Sequence, residues 1–370
     1  MQQLTRLELH GYKSIRHLTD LDLGPINVLI GANGAGKSNF ISFFKLLNWM
    51  TPSPGNLQFF VGKVGGANSL LHDGAAITPQ IEASLVFETD WGTNDYGMRL
   101  FHAAQDTLIF ADEKYRFTKR PYINKADWKS LGSGHRESRL IELSDLGDGT
   151  ARTILWLMKG CVVYQFHNTS DTARIRQRWS ADDNRMLKED AANLAPFLLR
   201  LRKAQPPAYL RIVETVRQIA PFFADFVLEP EGNTILLQWR ELNTDLVFGP
   251  HQASDGTLRM MALVSLLLQP EEDLPAVIIL DEPELGLHPY AISVIAGLLQ
   301  SVSNHAQVIL ATQSTTLINY FLPEQIIVVE RRDRESIFKR LDPEKLKDWL
   351  DEYSVAELWE KNVIGGRPHQ

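Results

Sequence analysis

The sequence contains a single cysteine, Cys161, among its 370 residues. One thiol cannot form a disulfide within the chain, and no cysteine and histidine cluster has the ligand spacing of a structural zinc site. No window is apolar over the ~20 residues that a transmembrane helix requires, and the charged opening MQQLTRLELHGYKSIR lacks the apolar core of a signal peptide. We therefore expect a cytoplasmic protein without membrane contact, disulfides or zinc.

The sequence also lacks internal repeats, low-complexity segments and sustained heptads, so a long coiled coil is not expected. Its content of 44% hydrophobic and 22% charged residues is enough to build a large core. The net charge of -7 excludes a uniformly basic surface for nucleic acid. Any DNA contact must therefore be regional.

The pattern of apolar residues and chain breakers divides the chain into four predicted units. Residues 1–170 form an N-terminal lobe with a β-rich extension of short strands, and residues 171–225 form an inserted helical subdomain. Residues 226–340 form a C-terminal lobe in which buried strands alternate with helices, and residues 341–370 form a helical cap. This order predicts an α/β fold.

A glycine-rich motif lies between the apolar strand Ile26–Ile30 and a helix predicted over 39–50. The segment Gly31–Ser38, GANGAGKS, fits the phosphate-binding pattern G-x-x-x-x-G-K-[ST] in the strand-to-helix context that the pattern requires. Its backbone N–H groups would surround phosphates, Lys37 would reach the β- and γ-phosphates, and the Ser38 hydroxyl would join a Mg²⁺ shell. The candidate nucleotide contacts here are Asn33, Gly34, Ala35, Gly36, Lys37, Ser38 and Asn39.

Two acids follow a second apolar strand, Val277–Leu280. Ligands of open α/β sheets gather at the carboxyl ends of strands, where Asp281 and Glu282 lie. Asp281 would hold Mg²⁺ through water, and Glu282 would orient and deprotonate the attacking water. The two motifs together predict an ATP-hydrolysing site.

A third segment, Ser254–Thr257, precedes the acidic strand and opens a helix predicted over 256–268. The serine and glycine would place an anion-favouring helix N-terminus at the surface, although an ordinary capped helix has the same pattern. The order of phosphate loop, Ser254–Thr257, acidic strand and the strand Gln307–Thr312 resembles ABC-type ATPases of the RecF, SMC and OLD-like group. The opening Gly11–Ile15 is also similar to theirs.

The resemblance implies an ABC-type ATPase head in which Ser254, Asp255 and Gly256 contact the γ-phosphate that a second copy holds. Such a protein is a homodimer or a higher oligomer with Mg-ATP between its subunits. The family pattern further implies that Lys13 approaches the nucleotide. It also implies a magnesium-binding glutamine where the lobes join, for which Gln165 is the candidate, although Gln165 also fits a plain strand residue. Gln313 replaces the family's γ-phosphate-sensing histidine, so we expect slow hydrolysis.

The functions implied are an ATP-driven switch in DNA repair, recombination or anti-phage defence and, alternatively, an ATP-stabilised scaffold with little turnover. The switch would change affinity for DNA or a partner effector, and the scaffold would control a separate effector such as a nuclease or toxin. About thirty residues after the last core helix cannot supply a nuclease domain, so we expect any nuclease activity to belong to another protein. Two basic strips, Lys114–Lys125 with interleaved aromatics and Arg174–Arg178, could contact DNA. They also fit solvated faces paired with acids.

Overall fold

Two six-stranded sheets organise the computed structural model, which describes residues 2–51, 55–121 and 124–366. The strands are β1 (Gln3–Tyr12), β2 (Ile15–Asp22), β3 (Ile26–Ile30), β4 (Gln80–Thr89), β5 (Gly92–Ala103), β6 (Thr107–Lys119), β7 (Lys129–Gly132), β8 (Cys161–Tyr164), β9 (Trp179–Ser180), β10 (Phe223–Val227), β11 (Thr234–Ile235), β12 (Gln238–Glu241), β13 (Val247–Phe248), β14 (Val277–Asp281), β15 (Gln307–Thr312), β16 (Ile326–Arg332) and β17 (Glu335–Arg340).

The helices pack around these sheets. They are α1 (Lys37–Trp49), α2 (Asn56–Lys63), α3 (Leu140–Asp145), α4 (Gly149–Lys159), α5 (Leu194–Ala204), α6 (Pro206–Ile219), α7 (Asp255–Leu267), α8 (Pro289–Val302), α9 (Thr315–Ile318), α10 (Pro343–Leu350) and α11 (Val355–Glu360).

The first sheet is antiparallel, with the order β2-β1-β4-β5-β6-β7. Its strands β4, β5 and β6 have 10, 12 and 13 residues, longer than the short pieces that the sequence predicted. The difference arises in β5, where Asn94 and Asp95 read as chain breakers but are buried within the strand. Asp95 is held there by an ion pair with Arg116 of the neighbouring β6. Helix α4 also lies within residues 1–170, where the sequence predicted only short strands after the first helix.

The second sheet has the order β17-β16-β3-β15-β14-β8, and its strands run parallel except for β17 at one edge. Strands β3, β14 and β15 are buried at every residue, as expected where helices cover both faces of a sheet. The carboxyl ends of these strands consequently meet at one edge. Loops after β3, β14 and β15 carry the candidate site residues to this common edge.

Between the lobes, the predicted helical stretch begins later than expected. Residues 172–193 contain mainly turns and a short 3-10 helix, Arg174–Arg176, and regular helix starts with α5. The reason lies in local side-chain bonds such as those of Asn193, which accepts from Lys188 and donates to two carbonyls and thereby stabilises turns. The proposed domain boundaries stay a prediction.

The longest helices of the described residues, α6 and α8, have 14 residues each, far shorter than a coiled-coil arm. Among the residues that the structure describes, no helix is both long enough and apolar enough to span a bilayer. Helices α10 and α11 lie within residues 341–370, for which the sequence predicted a helical cap, and the cap as a unit stays a prediction.

Candidate functional site

The glycine loop after β3 passes so close to β17 that only glycine fits at position 36. Gly36 has φ of 115°, and a Cβ there would lie 2.0 Å from the Ser336 hydroxyl oxygen. That hydroxyl donates to the carbonyl of Ala35 at 2.6 Å and thereby fixes the loop against β17. Helix α1 begins at Lys37, so its free N–H groups face the turn, as a phosphate site requires. Asn33, Gly34 and Ser38 are exposed on this turn.

The lysine of this loop is folded onto the loop's own backbone. The Lys37 Nζ donates to the carbonyl of Gly31 at 2.6 Å and to that of Ala32 at 3.1 Å. Burial lowers the pKa of Lys37, while the nearby carboxylates of Glu282 and Asp281 oppose that shift. The side chain is therefore a buried cation placed between the glycine loop and the acid pair.

Asp281 lies at the end of β14, beside the loop's serine. Its neighbours include the Ser38 hydroxyl and the Gln165 amide, whose Nε2 lies 3.3 Å from Asp281 Oδ2. Burial raises the pKa of Asp281, and the charge of His167 and the hydrogen bond from Ser38 oppose the rise. The Ser38 hydroxyl and the Asp281 carboxylate are oxygen ligands that suit Mg²⁺, which needs only one or two carboxylates beside water and phosphate. Among the described residues, no group of three or more His, Cys, Asp or Glu is placed to hold a metal ion.

Gln165 lies at the end of β8 and contacts both lobes of the site. Besides its contact to Asp281, its Oε1 accepts a hydrogen bond from Lys45 Nζ at 2.5 Å. Lys45 lies two turns after Lys37 on α1, so this contact joins the helix after the glycine loop to the acid strand. The position favours a glutamine that joins the lobes over a plain strand residue, and its role as a metal ligand stays a prediction.

Glu282 adopts an uncommon backbone conformation, with φ of 42°. Its N–H donates to the carbonyl of Ala311 on β15 at 2.8 Å, and its Oε1 accepts a hydrogen bond from the Gln313 side-chain amide. The structure therefore brings the predicted base and the residue in the histidine position into direct contact. Gln313 acts here as a neutral donor that holds a carboxylate.

The tip of helix α7 lies at the surface. Ser254 caps the helix by accepting from the Thr257 N–H at 3.1 Å, and Ser254 and Asp255 are both exposed. Asp255 pairs with buried Arg176 at 2.9 Å. Arg176 thereby neutralises a carboxylate that would otherwise oppose an anion at this helix end. Gly256 packs so closely on Gly286 that a Cβ would lie 2.3 Å from the Gly286 carbonyl oxygen.

Lys13 and Asn39 lie along the flank of α1. Lys13 Nζ donates to Ser42 Oγ at 3.0 Å, and burial lowers the pKa of Lys13, with the nearby charge of Lys45 adding to the effect. Asn39 donates to Ser14 Oγ at 2.7 Å. Both side chains are near the glycine loop but are engaged by α1 and its neighbours.

Four charged residues of the site were missed by sequence reasoning. Lys45 and Arg176 are described above, and Glu284 lies two residues after Glu282 in the loop that follows β14. Arg259 on α7 donates to the carbonyls of Phe166, His167 and Leu285 at 3.1, 2.9 and 2.9 Å. Only the spacing of Lys45 from Lys37, eight residues along one helix face, was a usable signal in the sequence.

The basic strips are largely paired with acids. In the first strip, Arg116 pairs with Asp95 and stacks on Trp128 at 4.3 Å, and Lys114 pairs with Asp112. In the second, each arginine pairs with a carboxylate, the three pairs being Arg174–Asp190, Arg176–Asp255 and Arg178–Glu231. Tyr122 of the first strip lies outside the described residues. This pairing favours the solvated-face interpretation over a phosphate-tracking surface.

Two family models match the chain. One, described as "AAA domain, putative AbiEii toxin, Type IV TA system", matches residues 78–319 and includes α7, the acid pair and Gln313. The other, described as "AAA domain", matches residues 6–145 and includes the glycine loop. No curated protein matches the chain.

Solved structures of SMC heads share the fold. An SMC head bound to the C-terminal winged-helix domain of ScpA has a TM-score of 0.62 at 16% identity, over 93% of this chain and 99% of that one. A Pyrococcus furiosus SMC head with an extended coiled coil, bound to the C-terminal domain of ScpA, has a TM-score of 0.56 at 15% identity, over 95% and 99%. A Pyrococcus yayanosii SMC head with a coiled coil and joint has 0.54 at 13%, over 95% and 99%. The predicted ATPase-head fold is confirmed.

Proposed function

We propose that this chain is a dimeric switch driven by Mg-ATP. The premise is that the chain belongs to the family described as "AAA domain, putative AbiEii toxin, Type IV TA system". Two copies would clasp each ATP between the glycine loop of one and the α7 tip of the other, and hydrolysis would release them. One observation carries the proposal. The residues for phosphate binding and water activation meet at one sheet edge, while the Ser254 tip is left open at the surface.

In this proposal the glycine loop and Lys37 bind the triphosphate. Lys37 exchanges its two backbone carbonyl partners for the β- and γ-phosphate oxygens, which are better acceptors because they are charged. Ser38, Asp281 and Gln165 would hold Mg²⁺, whose charge offsets that of the β- and γ-phosphate oxygens. Asn33 to Asn39 and Lys13 complete the pocket on the side of α1.

Glu282 is the proposed general base. Its carboxylate orients the attacking water and accepts a proton from it, a role worth on the order of 10²–10⁴ in rate. The Gln313 amide fixes the carboxylate by a hydrogen bond but cannot supply the positive charge of a protonated histidine to the γ-phosphate. Slow turnover follows from this replacement.

Dimer formation supplies the missing half of each site. The α7 N-terminus favours an anion, and Arg176 cancels the charge of Asp255 beside it. The tip is therefore a suitable contact for the γ-phosphate bound by the second copy. Each subunit would contribute to both sites, so ATP binding and subunit contact are coupled.

The proposed setting is DNA repair, recombination or anti-phage defence, with control over a separate effector such as a nuclease or toxin. The family description supports the toxin context, and the ScpA-bound SMC heads are relatives in fold that carry a partner protein. The paired basic strips lend no support to DNA as the partner. A cytoplasmic location, where ATP is supplied, also stays a prediction.

A scaffold with structural ATP is the second candidate. It is favoured by Gln313, which is neutral, and by Ser254, which already caps its own helix through Thr257. Steady-state ATP hydrolysis with Mg²⁺, measured with and without DNA, separates the two functions. The switch predicts turnover that EDTA abolishes, whereas ATP binding without turnover in every condition supports the scaffold.

A further inference from the structure

A third acid, Glu284, joins the loop after β14 to the end of β15. Its Oε1 accepts a hydrogen bond from the Thr312 hydroxyl at 2.5 Å, and the Gln313 N–H lies 3.4 Å from the same oxygen. The Thr312 hydroxyl in turn accepts from the Ser314 N–H at 2.9 Å. One carboxylate oxygen thus organises three consecutive residues, Thr312 to Ser314, at the point where β15 ends.

The other oxygen of this carboxylate has an unusual environment. Glu284 Oε2 is buried and has no hydrogen-bond partner. Burial raises the pKa of Glu284, and the negative charge of Glu282 adds to the rise. A half-satisfied buried carboxylate costs stability, because a desolvated acceptor without a donor loses the hydrogen bonds that water would make. An acid at such a position is expected to serve a function other than stability.

The contacts of Glu284 lead to the proposed base. Glu284 holds Thr312 and the backbone of Gln313, and the side chain of Gln313 donates to Glu282. From the opposite direction, the Glu282 N–H donates to the carbonyl of Ala311 at 2.8 Å. The two loops are therefore fixed to each other on both sides of the base.

We propose that Glu284 is a positioning residue for ATP hydrolysis, which holds the end of β15 so that the Gln313 amide stays on the carboxylate of Glu282. The inference rests on the proposed function, in which Glu282 activates the attacking water. Glu284 itself touches neither phosphate nor water in this role. It acts through Gln313, and its removal lets the amide and the carboxylate separate.

The test compares Glu284→Ala with Glu284→Gln in steady-state ATP hydrolysis. The glutamine keeps an oxygen for the Thr312 hydroxyl and the Gln313 N–H, so its kcat is expected within about threefold of the parent. The alanine loses that oxygen, and its kcat is expected to fall by about tenfold or more, with ATP affinity within about twofold of the parent. Affinity is measured separately with a fluorescent ATP analogue.

A double mutant shows whether Glu284 acts through Gln313. If it does, Glu284→Ala combined with Gln313→Ala is no slower than Gln313→Ala alone, since the contact to be positioned is already absent. A general loss of structure would instead lower kcat further in the double mutant. Additive losses, or an alanine variant with parental kcat, would overturn the inference.

Two controls keep the test decisive. If Glu284→Ala melts at a temperature too low for the assay, Thr312→Val keeps the shape of the side chain but removes its hydrogen bond to Glu284 and the acceptor of the Ser314 N–H, and a drop in kcat with unchanged ATP affinity is expected. The proposed function is checked in parallel by Glu282→Gln. When that variant loses turnover but Glu284→Ala does not, only the positioning role is wrong; when Glu282→Gln hydrolyses ATP like the parent, the proposed function is wrong.

Discussion

This protein uses the same side chain differently at two places: Glu113 lies within a strand of the antiparallel sheet, and Glu284 lies in the loop after β14 at the edge of the parallel sheet. In the antiparallel sheet, Glu113 is fully buried and both of its oxygens are satisfied. Its four donors are the Tyr96 hydroxyl at 2.8 Å, His135 at 2.8 Å, the Ser138 hydroxyl at 2.5 Å and the Arg139 N–H at 3.0 Å. At the edge of the parallel sheet, Glu284 in the loop after β14 has donors on one oxygen only.

The two carboxylates differ because one stabilises the fold and the other lies in the candidate site. A fully bonded acid such as Glu113 adds stability and specifies the fold of its lobe. At the carboxyl edge of the parallel sheet, charges instead remain incompletely compensated, as seen in the raised pKa of Asp281 and the lowered pKa of Lys37, both caused first by burial. Incompletely compensated charges of this kind are typical of a site that binds a charged ligand and its metal ion.

The largest effect expected at the parallel-sheet edge comes from the proposed base. Glu282→Gln should lower kcat by about 10²–10⁴ while ATP binding is retained, because the amide cannot accept a proton from water. Single-turnover hydrolysis and a nucleotide-binding titration measure the two quantities. Glu324→Gln, an exposed acid outside the site, serves as the control and should match the parent. Parental turnover in Glu282→Gln would place the base elsewhere.

The corresponding change in the antiparallel sheet should affect stability and leave chemistry alone. Glu113→Ala leaves four donors without their acceptor, including the buried hydroxyls of Tyr96 and Ser138, and is expected to cost about 3 kcal/mol in the free energy of unfolding. At temperatures where the variant is folded, its kcat should stay within about twofold of the parent, because no reacting group has moved. Urea unfolding and ATPase assays check both statements, with Lys119→Ala, exposed at the end of β6, as the neutral control. A large loss of kcat in folded Glu113→Ala would break the comparison.

The smallest expected effect is a pH dependence of stability at Glu284. Because the pKa of Glu284 is raised in the folded state, its ionised form is disfavoured there, and stability is lost as pH rises through that pKa. Glu284→Gln carries no such charge, so without nucleotide it should be more stable than the parent near neutral pH. The difference should shrink as pH falls through the raised pKa and vanish below about 4.5. Denaturant unfolding at a series of pH values measures it, and a difference independent of pH would contradict the buried-charge account.

Much of the site could be predicted because its motifs are local. Gly31–Ser38 and the acid pair each combine a buried strand with the residues directly after it, and parallel strands bring such ends together. The contacts that tune the site could not be predicted, since they join distant positions. Arg176 is 79 residues from Asp255, and Lys45 is 120 residues from Gln165.

The errors in the fold prediction have the same origin. Strand β5 contains Gly97 and the polar pair Asn94 and Asp95, whose local preference favours turns, and only their burial and the ion pair with Arg116 on β6 keep them in a strand. Conversely, residues 172–193 lie in the predicted helical subdomain but are held in turns by side-chain bonds such as those of Asn193. Tertiary contacts decide both cases.

The central claim, that two copies share each ATP, is tested most directly by complementation. Lys37→Ala removes the phosphate contact of the glycine loop, and Ser254→Arg blocks the exposed α7 tip, so each variant alone should lack ATPase activity. In an equimolar mixture, half of the dimers would be mixed and would hold one intact site, so about a quarter of the parental activity is expected. A mixture as inactive as its components, with both variants folded, would contradict the shared site.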